Sequence, residues 1–215
     1  MIPHEELGAR LAAALEVPAW GPGQRPAGQL GSPTARPTVA LDTLARRRSV
    51  REYGTGRVPL DVLGRAIDAG FDADSALWSS PGPLDVLVLA TRVSGLRSGV
   101  LHAVLAGPAY ESLGALDPTD ATLQRDLAGA AALLIVRGRL GGAVDGDSAR
   151  QYRQLLTRAG AWVTACHLAA IEYGLVGCPF DGLLPHRALR SGTAPEPLVL
   201  CGLALGIPAE AEADG

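Results

Sequence analysis

The sequence predicts an α+β domain with one central sheet, and three observations support this class. Continuous apolar runs, of which 130–137 is the clearest, are typical of strands that are covered on both faces. Segments with apolar residues three and four positions apart, above all 148–173, are typical of helices. The two kinds of segment alternate along the chain without an internal repeat, so we expect one sheet packed against helices.

Composition narrows the classes of protein that the chain can belong to. Its 215 residues are 47% hydrophobic but only 4% aromatic, so the core must be built from Leu, Val and Ala. A net charge of -3 argues against a general nucleic-acid binder or a membrane-surface binder. All 19 basic residues are arginine, so no lysine amine is present as a base or a Schiff-base former.

Cysteine usage and hydropathy predict a cytoplasmic protein. Cys166, Cys178 and Cys201 are widely spaced and odd in number, which argues against a disulfide framework and favours buried thiols in a reducing cytosol. The N-terminus carries no pattern of a signal peptide. No apolar run reaches the roughly 18 residues that span a bilayer, so no membrane segment is expected.

The first 37 residues are predicted to form a helix and an arm. Leu7, Leu11 and Leu15 lie four apart and give one apolar stripe to a helix over 5–16. Prolines and glycines then dominate 18–37, which indicates a linker or an extended arm. The helix either packs on its own subunit, packs on a partner or is an appendage. The predicted layout is an arm over 1–37, a domain over 38–208 and a disordered tail over 209–215.

The predicted elements of the domain follow from local patterns. Asp42 or Thr43 is the expected cap of the first helix, Pro59 suits the start of the second, and Gly174 is the expected end of the long one. Residues 71–84 are predicted to be an irregular loop, and 109–116 fit neither pattern. Helices are predicted over 41–47, 60–70, 119–127 and 148–173. Strands are predicted over 85–91, 99–105, 130–137 and 196–205, with a short extended piece at 174–180.

A cluster of arginines precedes the second predicted helix. Arg46, Arg47, Arg48 and Arg51 fall within six positions, with Ser49 among them. Guanidinium groups bind phosphate oxygens two at a time, and a serine hydroxyl adds a donor, so the cluster suits one phosphate monoester. A solvated basic turn that makes surface ion pairs is the alternative.

Residues 47–53, followed by 58–60, resemble the opening signature of the nitroreductase family, flavin enzymes that bind FMN. Within that family, the chain is most similar to the azoline dehydrogenases of modified-peptide pathways. Further likenesses in the right order lie at 93–102, 150–160, 174–178 and 197–206. The resemblance covers 38–208. It implies a nitroreductase-like fold, with a mainly antiparallel central sheet, flanking helices and a long central helix, in a homodimer that holds flavin in its interface.

The resemblance also implies a cofactor site. Arg47, Arg48 and Ser49 are the positions expected to contact the FMN phosphate and ribityl chain, with Arg51 close by. Arg153, or its neighbour Arg150, is expected near the flavin ring or its phosphate, where a cation stabilises reduced flavin. In the loop 180–183, Gly182 is expected to offer a backbone amide to the cofactor.

Several positions depart from the family pattern. Residues 79–85 are shorter than the usual loop and lack its tyrosine, and the lysine of the dehydrogenase branch's lysine–tyrosine base is absent. Asp181 stands where relatives have glycine and would repel a phosphate. On the long helix, Arg158, Ala161 and Ala165 stand where relatives carry glutamate, histidine and asparagine.

The catalytic base is not identified by the sequence. His102, His186 and Tyr152 are candidates for a proton acceptor, whereas His167 lies in an apolar helix stripe and is predicted to be a core or interface residue. No set of His, Cys and Asp has metal-ligand spacing, so no metal site is predicted.

The resemblance and the residues together predict an FMN-dependent oxidoreductase of ribosomal-peptide biosynthesis. It would dehydrogenate azoline rings or a related peptide intermediate or small natural product. The alternative is a flavin-free pseudoenzyme, or a partner subunit that binds a peptide or protein in a biosynthetic complex. The missing polar groups favour the alternative, and the intact cluster at 47–49 opposes it.

Overall fold

The computed structural model describes residues 41–78, 84–104, 110–140, 148–183, 189 and 196–209. The chain divides into two units, Met1–Arg36 and Pro37–Gly215, and every described residue belongs to the second. The predicted N-terminal helix and arm lie outside the described residues. The same holds for His186 and for the tail beyond 209.

The described part of the second unit contains a six-stranded antiparallel sheet with the order β3-β2-β1-β4-β6-β5. The prediction of a mainly antiparallel central sheet is therefore confirmed. The two central strands are those with the longest apolar runs, because each is covered on both faces. The strands are β1 Leu84–Ala90, β2 Val100–Val104, β3 Tyr110–Ala115, β4 Ala132–Gly138, β5 Val176–Phe180 and β6 Leu198–Gly206.

Strand β3 is the element that the sequence left undecided. It forms one edge of the sheet, and five of its six residues are exposed. An edge strand that is open to solvent needs neither an apolar run nor a clear alternation. Pairing with β2 aligns Leu101 with Gly114 and His102 with Ser112, on either side of a bulge.

Two long helices cover one face of the sheet. They are α2 Leu60–Trp78 and α4 Ser148–Glu172, and α4 confirms the predicted long helix. Trp162 of α4 is fully buried and meets Phe71 of α2 edge-on, with ring centroids 5.6 Å apart. Beyond α4, Gly174 has a φ of 78°, which is the left-handed conformation expected of a glycine C-cap.

The prediction of an irregular loop over 71–84 is wrong for residues 71–78, because α2 continues to Trp78. Three side chains in the added turns bind α4: Phe71 packs on Trp162, Asp74 pairs with Arg158, and Trp78 lies 5.1 Å from the Arg158 guanidinium. These tertiary contacts stabilise a stretch whose local sequence favours no helix.

Two shorter helices also differ from prediction. The helix α1 Leu41–Arg46 begins before both predicted caps, so Asp42 and Thr43 lie within it. The helix expected over 119–127 is split into α3 Pro118–Ala121 and a 3-10 turn, Arg125–Gly129. The interruption lies at Thr122, which forms a bridge with Leu183.

Neither a membrane nor a metal is indicated by the described residues. None of their helices combines the length and hydropathy needed to cross a membrane. The same residues contain no group of three or more His, Cys, Asp or Glu side chains arranged to hold a metal ion. The three cysteines are free thiols.

Candidate functional site

The arginine segment, residues 47–51, lies along the outer edge of strand β5. Its backbone is fixed at both ends, since Arg47 N donates to Thr43 O at 3.0 Å and Val50 N donates to Gly177 O at 2.9 Å. Just beyond, Gly54 N donates to Ile207 O at 2.9 Å. The predicted phosphate-binding residues therefore stand on a backbone that the sheet holds in place.

Arg47, Arg48 and Ser49 present exposed side chains at the end of α1. Arg48 Nη1 donates to the carbonyls of Ala45 and Arg47, both at 2.9 Å. These carbonyls lie at the C-terminus of a helix, where cations are favoured. Among the described residues, neither Arg47 nor Arg48 has a carboxylate partner, so both cations are available to an anion.

Arg51 differs from its neighbours because a carboxylate already binds it. Its Nη1 lies 3.1 Å from Asp126 Oδ2 of the 3-10 turn, in an exposed ion pair. A hydrogen bond with the Cys178 side chain, and then the charge of Asp126, raise the pKa of Arg51 further above its usual value. The segment is thereby tied to the 3-10 turn as well as to β5.

His167 lies beneath the arginine segment and is buried, as its place in the apolar stripe of α4 predicts. It is 1% exposed, and its Nε2 has no hydrogen-bond partner among the described residues. A side chain at Gly177 would place its Cβ 3.4 Å from His167 Cδ2, so strand β5 approaches the imidazole closely. Burial, and then the positive charge of Arg47, lower the pKa of His167 to about 4, although a hydrogen bond with the Gly177 backbone opposes this.

We expect His167 to make the fold sensitive to acid. Because its pKa is about 4 in the fold and 6.5 otherwise, the unfolded chain binds the proton more readily. This contribution of His167 to the free energy of unfolding is complete above pH 6.5 and is lost as the pH falls toward 4, an effect on the order of 3 kcal/mol. Urea unfolding at a series of pH values should show a steeper loss for the wild type than for His167→Gln. Equal slopes would contradict this assignment.

Gly182 lies just past the far end of β5. Its φ of 58° is the left-handed conformation that glycine adopts at little cost, and its carbonyl accepts from Leu123 N at 3.0 Å. Gly177 and Gly182 are five residues apart, about 16 Å along an extended chain. Val50 thus meets β5 near its start and the Gly182 turn follows its end, with exposed Asp181 beside the turn.

The other predicted site residues lie elsewhere in the single chain. Arg153 and Tyr152 are exposed in the first turns of α4, and Arg153 precedes His167 by fourteen residues, about 21 Å along the helix. His102 lies on β2, four strands from β5 or about 19 Å away. It is 6% exposed, and burial lowers its pKa.

The helix positions that depart from the family pattern lie on the side of α4 that faces α2. Arg158 forms two hydrogen bonds with Asp74, at 2.7 and 2.6 Å, inside the α2–α4 contact. Ala161 and Ala165 line an apolar groove between α2 and α4 with a volume of about 490 Å³. The groove is lined by Ala69, Ala73, Leu77, Gly160, Ala161, Thr164, Ala165, Leu168, Ala169 and Glu172.

The sequence did not indicate that Asp126 and Cys178 are partners of Arg51. Asp126 is 75 residues from Arg51 along the chain, and no local pattern links them. Cys178 was predicted only as a small buried residue, and it is 2% exposed. The one sequence signal for a place near the site was its position in the predicted extended piece at 174–180.

Comparison with known proteins identifies the family. Residues 44–206 match the sequence profile of the Nitroreductase family, so the chain belongs to this family of FMN-dependent oxidoreductases. Among curated proteins, none matches the chain in sequence.

Solved structures share the fold at low identity. A putative nitroreductase from Anabaena variabilis has a TM-score of 0.60 and 22% identity over 78% of this chain, which spans only 37% of that protein. A putative nitroreductase in complex with FMN, from Desulfovibrio desulfuricans, has a TM-score of 0.55 and 18% identity, covering 82% of this chain and 89% of its own. The Escherichia coli microcin synthetase McbBCD complex, with a truncated pro-peptide bound, has a TM-score of 0.54 and 15% identity. The match covers 97% of this chain and 83% of the matched chain.

Proposed function

We propose that the chain is an FMN-dependent oxidoreductase of ribosomal-peptide biosynthesis that dehydrogenates azoline rings or a related peptide intermediate. The observation that carries the proposal is the arginine segment, which strand β5 holds in place with two guanidinium groups exposed. The likeness to the microcin synthetase complex supports a peptide substrate.

The residues at β5 fit a flavin phosphate. Arg47 and Arg48 offer two cations and Ser49 a hydroxyl, which together match the charge and the acceptors of a phosphate monoester. Among the described residues, Arg48 is bound only to backbone carbonyls, which an anion displaces because its negative charge adds attraction to the hydrogen bonds. Gly182 offers the backbone of a turn at the other end of the strand. Arg153 is proposed to approach the cofactor from α4.

The reaction removes two hydrogen atoms from each ring. When bound, FMN supplies the acceptor for a hydride. The chain must supply the acceptor for the remaining proton, and Tyr152, His102 and His186 are the proposed candidates. Tyr152 is 44% exposed, so its hydroxyl is open to a ligand.

A homodimer formed across the α2–α4 groove is part of this proposal. The groove exposes small apolar side chains of both helices in the single chain, and a second copy would bury them. We expect Ala165→Arg to convert a dimer into a monomer, because it would place a charge in the groove. Gln154→Arg, on an exposed position of α4 outside the groove, should stay dimeric. Light scattering after gel filtration measures both, and a monomeric wild type would contradict the dimer.

The activity is tested by incubating the FMN-loaded protein with an azoline-containing peptide. Mass spectrometry should show the loss of two hydrogen atoms per oxidised ring. A protein that binds FMN but leaves both thiazoline and oxazoline peptides unchanged, in air or with an added electron acceptor, would contradict the proposed reaction while leaving the cofactor assignment in place.

A flavin-free partner subunit is the second candidate, and one observation favours it. Asp126 pairs with Arg51 and Asp42 pairs with Arg46, so two of the four cations of the cluster are already bound to carboxylates. The missing lysine and the apolar Ala161 and Ala165 point the same way. This candidate predicts that the purified chain binds a peptide or protein of the biosynthetic complex but never binds FMN.

The Arg51–Asp126 ion pair gives a prediction of its own. We expect Asp126→Asn to tighten FMN binding about three- to tenfold, because it frees Arg51 and removes a negative charge beside the phosphate. Asp120→Asn makes the same charge change at an exposed position of α3 and should have little effect. Flavin fluorescence titration measures both, and weaker binding by Asp126→Asn would contradict the placement of the phosphate.

A further inference from the structure

A second cavity lies at the start of α2, far from the arginine segment. It has a volume of about 690 Å³, within the roughly 300–1,000 Å³ of ligand pockets. Tyr110 belongs to edge strand β3, whereas the arginine segment lies along β5 at the opposite edge of the sheet. We call it the α2 pocket; it is lined by Pro59, Leu60, Asp61, Gly64, Arg65, Asp68, Ser94, Gly95 and Tyr110.

The wall of the α2 pocket is left open at a position where packing does not require glycine. Gly64 lies inside α2, where glycine costs about 1 kcal/mol relative to alanine. Among the described residues, a Cβ at this position would meet only Tyr110 Oη, at 3.9 Å, which is an ordinary contact. Alanine would therefore fit the fold, and the glycine instead leaves space for something to enter beside Tyr110 and Leu60.

The charges of the pocket leave one carboxylate uncompensated. Arg65 lies 3.4 Å from Asp61 and also stacks on the ring of Tyr173 at 5.8 Å, so its cation is already bound. Asp68 has no cationic partner within the described part of the chain. Burial, and then the charge of Asp68, raise the pKa of Tyr110 to about 12, which places the carboxylate and a protonated phenol together.

We propose that the α2 pocket binds an aliphatic chain that ends in an ammonium or guanidinium group. Asp68 would pair with the cation, Tyr110 would orient it, and Leu60 and Pro59 would pack against the alkyl chain. The same chemistry is found in the lysine or arginine side chain of a peptide and in a free small amine. This inference does not depend on flavin binding at β5.

The test is an isotope-edited NMR titration of the full chain with N-acetyl-lysine methylamide. Its uncharged counterpart, N-acetyl-norleucine methylamide, is the control ligand. We expect saturable binding of the lysine compound, with shifts at Gly64, Gly95 and Tyr110, and weaker binding of the norleucine compound. Asp68→Asn should weaken lysine binding about fivefold, whereas Asp72→Asn, an exposed position of α2 outside the pocket, should not.

Three results would overturn the inference: no binding by the wild type, equal binding of the two ligands, or equal binding by Asp68→Asn and the wild type. Gly64→Leu, checked for folding by circular dichroism, should fill the pocket and abolish the shifts. Titration with pentylamine and with a lysine-containing peptide identifies the source. Tighter binding of the peptide supports a peptide side chain, and equal binding supports a free amine.

Discussion

Asp74→Ala is expected to lower the free energy of unfolding by about 3–5 kcal/mol. Asp74 and Arg158 are 2% and 8% exposed and share two hydrogen bonds, at 2.7 and 2.6 Å, between α2 and α4. Removing the carboxylate deletes both of these charge-assisted hydrogen bonds, which offset the loss of hydration of a buried guanidinium. Urea unfolding followed by circular dichroism measures the change.

Two further variants test the reason for this loss. Asp72→Ala, two residues earlier on the same helix and exposed, should change stability by less than about 0.5 kcal/mol. The double variant Asp74→Leu, Arg158→Met removes both charges together and should recover most of the lost stability. If Asp74→Ala is as stable as Asp72→Ala, the buried pair does not hold α2 against α4.

The double variant Arg47→Ala, Arg48→Ala is expected to weaken FMN binding by at least about 100-fold. Each guanidinium makes charge-assisted hydrogen bonds to the phosphate, and such bonds contribute about 1.5–3 kcal/mol each. The backbone of the segment is held by Val50 and Gly177, so the substitutions should not move it. Fluorescence titration of FMN measures the affinity.

Arg46→Ala is the matched control for this experiment. It removes one of the neighbouring positive charges, but the Arg46 guanidinium lies 3.0 Å from Asp42 on its own helix. Its effect on the affinity should be small, and unfolding curves should show all three proteins folded. A loss of binding as large in Arg46→Ala as in the double variant would mean that general positive charge, not these two side chains, binds the cofactor.

The sequence predicted the parts of the fold that local patterns determine. The apolar runs that became β1 and β4 are buried on both faces, and the long stripe that became α4 has nearly the predicted bounds. It did not predict the second half of α2, which depends on an ion pair between residues 84 positions apart. It also left β3 undecided, because an exposed edge strand needs no apolar pattern.

The candidate site was predicted as a set of residues, not as an arrangement. The hydrogen bond between Val50 and Gly177 joins distant parts of the chain, and only the fold shows that it brings the arginine segment beside β5 and His167. Asp126 reaches Arg51 in the same way, without any local signal. Arg153 and His102 lie about 20 Å from that edge, so their proposed roles depend on how a flavin ring and a second copy would lie.

Titration of the wild-type chain with FMN decides whether the arginine segment binds a flavin. We expect saturable binding at micromolar FMN, with quenched flavin fluorescence and flavin absorbance that stays with the protein through gel filtration. A folded protein that stays colourless, and leaves the fluorescence of micromolar FMN unchanged even when the protein is in large excess, would contradict the claim that Arg47, Arg48 and Ser49 bind a flavin phosphate.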